Sequence, residues 1–128
     1  MTLFDTHAHY DDEAFDADRD AVLSAFNGLV IDPGCTLASS QAAVELAARH
    51  PHVYAAVGIH PENCGDFVPE HMDALRQLAQ QPKVVAIGEI GLDYYWAENP
   101  PREFQQPVFR AQLALALALD LPVIIHDR

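Results

Sequence analysis

The chain has 128 residues, half of them hydrophobic, which is enough for one globular core but too few for two. Its net charge of −12 and its seven Lys and Arg residues argue against a general surface for polyanions. It contains no uninterrupted apolar stretch of the roughly 20 residues that a membrane span needs, and its start lacks the pattern of a signal peptide. We therefore expect a cytoplasmic protein without membrane contact. The widely separated Cys35 and Cys64 favour reduced thiols over a disulfide.

Short β-type runs alternate with helical patterns along the chain. Strands are predicted at residues 3–9, 29–32, 53–58, 83–88 and 122–126. Helices are predicted at residues 17–26, from a cap at Ser39 or Ser40 to residue 50, and at residues 69–80 and 102–119. A loop rich in aromatic residues is predicted at residues 89–101. Regular alternation of this kind implies a parallel sheet with right-handed crossovers.

The alternation predicts an α/β fold of the TIM type, a (β/α)8 barrel of which only the first five strands and four helices are present. A complete barrel typically needs about 250 residues. We therefore interpret residues 1–128 as a single incomplete barrel domain. Because the sequence stops directly after the fifth predicted strand, we expect a fragment of a longer product rather than a short homologue.

Side chains that bind metals follow three of the predicted strands. His7 and His9 form a His-X-His at the end of the first strand, where alternate side chains point the same way. Glu89 follows the fourth strand and His126 ends the fifth. The active sites of β/α barrels lie at these strand ends, and a buried Glu is unfavourable unless it is paired or binds a cation. This set predicts a site for Zn, Mn, Fe or Ni rather than Ca, and a carboxylate at residue 89 could bridge two ions.

Six of the ten residues from 11 to 20 are acidic. We interpret this segment as a solvated loop and the start of a helix rather than as a cation-binding loop. The spacing of an EF-hand, with its Gly and its terminal Glu, is missing from the segment.

Four segments resemble the successive signature segments of the TatD family, whose members are metal-dependent deoxyribonucleases with an amidohydrolase-like barrel. They are FDTHAH at 4–9, AVGIHP at 56–61, AIGEIGLDYY at 86–95 and LPVIIHDR at 121–128. The third segment is long and highly specific. The run FQQPVFRAQL at 104–113 resembles the helix that the family places before its fifth strand. The resemblance extends over residues 2–128.

This resemblance implies a site with two divalent metal ions, Mg, Mn or Zn. His7 and His9 correspond to ligands of the first metal, and His126 corresponds to a ligand of the second. Glu89 corresponds to the carboxylate that the two metals share, which makes it the candidate catalytic residue. His60 corresponds to a His that faces the substrate, and both a phosphate contact and a structural hydrogen bond remain open for it.

The loop after the fourth strand carries further candidates. Asp93 corresponds to a residue that supports a ligand or orders the loop. Tyr94, Tyr95 and Trp96 either stack on bases or pack the loop on the barrel mouth. The family also has another metal-binding His and a late Asp, and the segments that carry them lie outside this chain.

The resemblance implies hydrolysis of phosphodiester bonds in DNA, as a 3′-exonuclease, by a full-length protein that is monomeric. Two alternatives remain open. The same metal site could hydrolyse an amide or an ester, because the ligands define the nucleophile and not the substrate. The chain could also be catalytically silent as it stands, a fragment that self-associates through an open sheet edge.

Overall fold

The computed structural model describes residues 2–128. Five parallel strands form one sheet whose spatial order follows the chain. The strands are β1 (Leu3–Asp5), β2 (Gly28–Pro33), β3 (Val53–Val57), β4 (Val84–Leu92) and β5 (Val123–Asp127). The helices are α1 (Arg19–Ala25), α2 (Leu37–Arg49), α3 (Pro69–Ala79) and α4 (Arg102–Leu119). The five strands and four helices of the predicted barrel are confirmed, and β1 and β5 lie at opposite edges of the sheet.

The hydrophobic core lies between the sheet and its helices. Val30, Val57 and Ile87 of the strands are fully buried, and so is Leu75 of α3. Full burial of such a side chain stabilises the fold by about 1.5–3 kcal/mol. This packing fixes the strands relative to one another, and it therefore fixes the positions of their carboxyl ends.

The sheet also lines an open cavity of about 540 Å³. Its lining is apolar and includes Leu29, Ile31 and Val85. Large apolar side chains are exposed on both edge strands, since Phe4 of β1 is 55% exposed and Ile125 of β5 is 52% exposed. An unpaired edge with exposed apolar side chains favours pairing with another chain.

The isolated 128-residue chain is therefore expected to self-associate, and light scattering would report a mass above that of one chain. Phe4→Lys, which places a charge on the β1 edge and in the cavity lining, should shift the distribution toward monomer. Leu117→Lys is the matched control because it adds the same charge at an exposed apolar position on α4 rather than on an edge strand. A wild-type chain that scatters as a monomer would contradict this prediction.

Two strands differ from their predicted bounds in ways that affect the site. β1 is three residues long rather than seven, so His7 and His9 lie in the loop that follows it. The Asp5 carboxylate accepts a hydrogen bond from the His7 N–H at 3.1 Å, a turn that diverts the chain from the strand. β4 continues beyond its predicted end at residue 88 because the β4–β5 ladder extends to Leu92.

Smaller differences concern the helices. The N-cap of α2 is Thr36, not Ser39 or Ser40, and its hydroxyl accepts a hydrogen bond from the Ser39 N–H at 3.0 Å. A short 3₁₀ helix at Glu13–Phe15 precedes α1, which spans seven residues rather than ten. None of the helices in the described part of the chain combines the length and apolar character that crossing a membrane requires.

Candidate metal centre

Glu89 lies between two groups of imidazoles. Its Oε2 atom is 3.1 Å from Nε2 of His7 and 3.5 Å from Nε2 of His9. Its Oε1 atom is 3.1 Å from Nδ1 of His126 and 3.8 Å from Nε2 of His60. The two oxygens of one buried carboxylate therefore face two different groups of potential ligands.

The carboxyl ends of neighbouring strands bring these side chains together. Glu89 lies within β4, and His126 lies on β5, where it pairs with Gly91 of β4. Gly91 has a φ of 147°, and a Cβ there would lie 1.9 Å from the His126 carbonyl oxygen, so only glycine permits this approach. His60 follows β3 and caps a short 3₁₀ helix at Pro61–Asp66.

The charges at the centre favour an ionised Glu89. Burial by itself raises the pKa of Glu89, but the His9 side chain and the positive charge of the surrounding imidazoles lower it to about 2. Glu89 in turn raises the pKa of His9, against the opposing effect of burial. Burial lowers the pKa of His60, which favours its neutral form.

The residues present fit a bound divalent metal. Nε2 of His7 lies 3.2 Å from Nε2 of His9, and both atoms lie within 3.5 Å of the same Glu89 oxygen. Lone pairs this close repel one another unless a proton or a cation lies between them. Glu89 and His126 form the second group of candidate ligands, with His60 beside them. Imidazole nitrogen with carboxylate oxygen is a donor set typical of Zn and Mn sites.

His126 is oriented by Asp93. Its Nε2 atom lies 2.8 Å from Oδ2 of the fully buried Asp93, and its Nδ1 atom faces Glu89. The other Asp93 oxygen accepts a hydrogen bond from the Tyr95 N–H at 3.0 Å. Burial alone would raise the pKa of Asp93, but the contacts with His126 and the Tyr95 N–H lower it. Asp93 therefore combines the two roles that the sequence left open, because it contacts a candidate ligand and also orders the loop.

His60 has a different arrangement of ring nitrogens. Its Nδ1 atom accepts a hydrogen bond from the Glu62 N–H at 3.1 Å. A neutral His60 must then carry its proton on Nε2, the atom that faces Glu89. A protonated nitrogen donates a hydrogen bond and does not bind a metal, so His60 is suited to contact an anion at the centre.

Two polar residues that the sequence analysis did not single out support this region from α4. Gln112 is buried, and its side chain accepts from the Ile59 N–H at 2.7 Å and donates to the Ile59 carbonyl at 3.0 Å. Gln105 is also buried, and it accepts from the Asp93 N–H and donates to the Asp93 carbonyl. Gln112 thus fixes the backbone next to His60, and Gln105 fixes the backbone of Asp93 itself. A polar residue on the buried side of an otherwise amphipathic helix is the signal that could have revealed them.

Gln112→Leu is expected to lower the free energy of unfolding by about 2–5 kcal/mol, because it leaves the Ile59 N–H and carbonyl buried without partners. Urea unfolding measures the change. Gln80→Leu, at an exposed position, is the control and should have little effect. Equal stability of the two variants would show that the Gln112 hydrogen bonds add nothing.

A cluster of two carboxylates lies beside His9. The buried Asp32 on β2 accepts a hydrogen bond from the Asp11 N–H at 2.9 Å. Burial, followed by the charge of Asp11, raises the pKa of Asp32 to about 8. The sequence analysis treated Asp11 as part of a solvated segment and did not single out Asp32. A lone carboxylate at the end of an apolar strand was the signal available for Asp32.

Aromatic side chains and two arginines form a rim beside the centre. The Arg128 guanidinium lies 4.2 Å from the ring centre of Tyr95 and 5.4 Å from that of Trp96. The Arg102 guanidinium lies 4.1 Å from the ring centre of Tyr94. Tyr95 is 61% exposed and Trp96 is 43% exposed, so both retain accessible faces.

A family model described as TatD related DNase matches residues 4–128. The chain belongs to this family. The match confirms the resemblance inferred from the four signature segments, and it extends over almost the whole chain.

Individual TatD relatives agree with this assignment. The chain is 38% identical to a Bacillus subtilis protein named uncharacterized metal-dependent hydrolase YabD and 38% identical to a Salmonella typhimurium protein named 3′-5′ ssDNA/RNA exonuclease TatD. Each alignment covers 98% of this chain, and the chain spans about half the length of these curated relatives (51% and 50%).

Solved structures give the same fold. The crystal structure of YJJV, a TatD homologue from Escherichia coli K12, matches with a TM-score of 0.89 and 36% identity over 98% of this chain and 51% of that one. The fold of the described residues is therefore that of the first half of a TatD barrel, as predicted.

Proposed function

We propose that a complete barrel containing these residues hydrolyses phosphodiester bonds in single-stranded DNA from the 3′ end, with two divalent metal ions bound at the centre. His7, His9 and Glu89 would hold the first ion, and Glu89 with His126 would contribute to the second. The observation that carries the proposal is the position of Glu89, whose two oxygens face separate groups of imidazoles. The printed name of the Salmonella relative, an exonuclease on single-stranded DNA and RNA, supports the substrate class.

The chain's own residues have distinct tasks in this proposal. When bound, divalent ions lower the pKa of a water molecule and polarise a phosphoryl oxygen. Glu89 remains ionised at neutral pH because its pKa is about 2, so it supplies a full negative charge between the two groups. His60 presents an Nε2–H toward the same space and would donate a hydrogen bond to a phosphate oxygen. Asp93 holds His126 with Nδ1 directed at Glu89.

Substrate binding would rely on local features rather than on the overall charge. With a net charge of −12, the chain repels a polyanion at long range, so bound cations must supply much of the local positive charge. The exposed faces of Tyr95 and Trp96 can stack on bases, a contact worth about 1–3 kcal/mol per base. Arg128 beside these rings adds a cation at the same place.

The experiment that tests the proposal compares three substrate classes under matched Mg²⁺ or Mn²⁺. A complete barrel containing residues 1–128 is incubated separately with three substrates. They are single-stranded DNA labelled at its 5′ end, an ester and a cyclic amide. We expect stepwise shortening from the 3′ end, and we expect chelation to stop it. Faster turnover of the ester or the amide would overturn the phosphodiester assignment and favour the alternative hydrolase. The cytoplasmic location and the monomeric state of the complete protein remain predictions.

A further inference from the structure

The carboxylate cluster of Asp11 and Asp32 has properties that its hydrogen bonds do not explain. Asp32 is fully buried at the end of β2, and Asp11 lies in the loop that follows β1. A ligand atom from each of them and one from His9 lie within 4.8 Å of one another. These residues are distinct from the two groups that face Glu89, except that His9 borders both.

Within residues 2–128, two oxygens of this cluster are buried and have no hydrogen-bond partner. Oδ2 of Asp32 accepts the Asp11 N–H, but Oδ1 of Asp32 accepts no hydrogen bond, and neither does Oδ1 of Asp11. Buried acceptors normally have partners, and a buried carboxylate that lacks one loses its hydration without compensation. When both are ionised, two carboxylates with oxygens within 4.8 Å of each other also repel, and this repulsion contributes to the raised pKa of Asp32. A single cation between the two side chains would satisfy both oxygens and cancel this repulsion.

We propose that Asp11 and Asp32 hold an additional divalent cation, separate from the pair proposed at Glu89. The ligands are carboxylate oxygens, which favour a hard ion such as Mg²⁺ or Mn²⁺. Mg²⁺ is commonly held by one or two carboxylates and keeps several of its waters, so two aspartates are a sufficient protein contribution.

His9 separates this site from the Glu89 centre and need not bind both ions. A neutral imidazole has one lone pair for a metal, and Nε2 of His9 faces Glu89 at 3.5 Å. Its Nδ1 atom lies on the other side, 3.9 Å from Oδ1 of Asp11. A cation held by Asp11 and Asp32 would fix the loop that carries His9 to the end of β2, and it would thereby position His9 for the Glu89 centre.

The test counts bound Mn²⁺ per chain by equilibrium dialysis in the wild-type chain and three variants. Asp32→Asn keeps the shape of the side chain and removes its charge, and we expect it to bind one Mn²⁺ fewer than the wild-type chain. Asp73→Asn, at an exposed position on α3, is the matched control and should bind as many as the wild type. Glu89→Gln should retain the Asp32-dependent ion while weakening the other centre.

The results separate this site from the proposed function. If Asp32→Asn binds as many Mn²⁺ ions as the wild type, the additional site does not exist and the two carboxylates hold only a proton between them. Circular dichroism checks that the variant folds. Should Asp32→Asn fail to fold, Asp11→Asn gives the same comparison at a less buried position, with the same count expected and the same result overturning the proposal. Loss of hydrolysis in Glu89→Gln bears on the Glu89 centre alone.

Discussion

Replacing Glu89 with Gln is expected to weaken the binding of divalent metal at both groups of imidazoles. In a complete barrel, the same change should lower the rate of single-stranded DNA hydrolysis about 100- to 1,000-fold, which is the range for removing one electrostatic group from an active site. The amide keeps the size of the side chain but carries no charge. It also replaces one oxygen with an NH₂ group. The remaining oxygen can then serve a metal ion beside His7 and His9 or one beside His126, but not both. Calorimetric titration with Mn²⁺ and an exonuclease assay measure the two effects.

The control for this variant is Glu70→Gln, the same change at an exposed position in the first turn of α3. It should leave metal affinity and hydrolysis unchanged. A second readout uses the metal-free chain, in which Glu89 raises the pKa of His9. In the Glu89→Gln variant the pKa of His9 should fall, and NMR titration of the histidine ring would detect the change. Unaltered Mn²⁺ affinity in the variant would rule out Glu89 as a shared ligand.

The sequence predicted the composition of the centre better than its local geometry. His7, His9, Glu89 and His126 were selected because side chains of these types follow apolar strands, and the carboxyl ends of parallel strands meet at one edge. The structure places the three imidazoles around the Glu89 carboxylate. The geometric reason given for the His-X-His was wrong, however, since both histidines lie in a loop beyond β1. The turn at Asp5 depends on one hydrogen bond, which periodicity does not reveal.

The limits of β4 illustrate a related difficulty. The predicted strand stopped at residue 88 because the apolar run ends there, yet the strand continues to Leu92. Its extension depends on the ladder with β5, which is more than thirty residues away in the chain. Local sequence patterns carry no information about such a partner. Strand existence and order were therefore predictable, whereas this boundary was not.

Contacts among buried polar residues were the least predictable part of the site. Asp93 was assigned either to a ligand or to the loop, and only the packing shows that it contacts both. Asp32 and Asp11 are 21 residues apart, and nothing in their spacing indicates a contact. Gln105 and Gln112 fall within a correctly predicted helix, but hydrophobic patterning treats glutamine as a surface residue. These pairings follow from tertiary packing, which local sequence patterns do not reveal.

Asp93→Asn is expected to weaken metal binding at His126 by about 10- to 100-fold, the usual effect of removing a carboxylate that orients a histidine ligand. The Asp93 carboxylate accepts a hydrogen bond from the Nε2–H of His126, and this leaves the Nδ1 lone pair directed at Glu89. The asparagine NH₂ group can instead donate to Nε2. The proton of a neutral ring then moves to Nδ1, where it blocks the lone pair that a metal needs.

The control is Asp127→Asn. It removes the same charge from the exposed residue that directly follows His126 in the chain. Mn²⁺ titration of both variants separates the effect of tautomer from the effect of charge. If Asp93 acted only through its charge, both variants would weaken Mn²⁺ binding by similar factors. That result would contradict the proposal that Asp93 orients the His126 ring. If it acts through the ring proton, only Asp93→Asn loses affinity, and the chemical shifts of the His126 ring nitrogens change from the Nε2–H form to the Nδ1–H form. The second pattern is the expected one, because the Asp93 contact at 2.8 Å is the shortest that His126 makes with a carboxylate among the described residues.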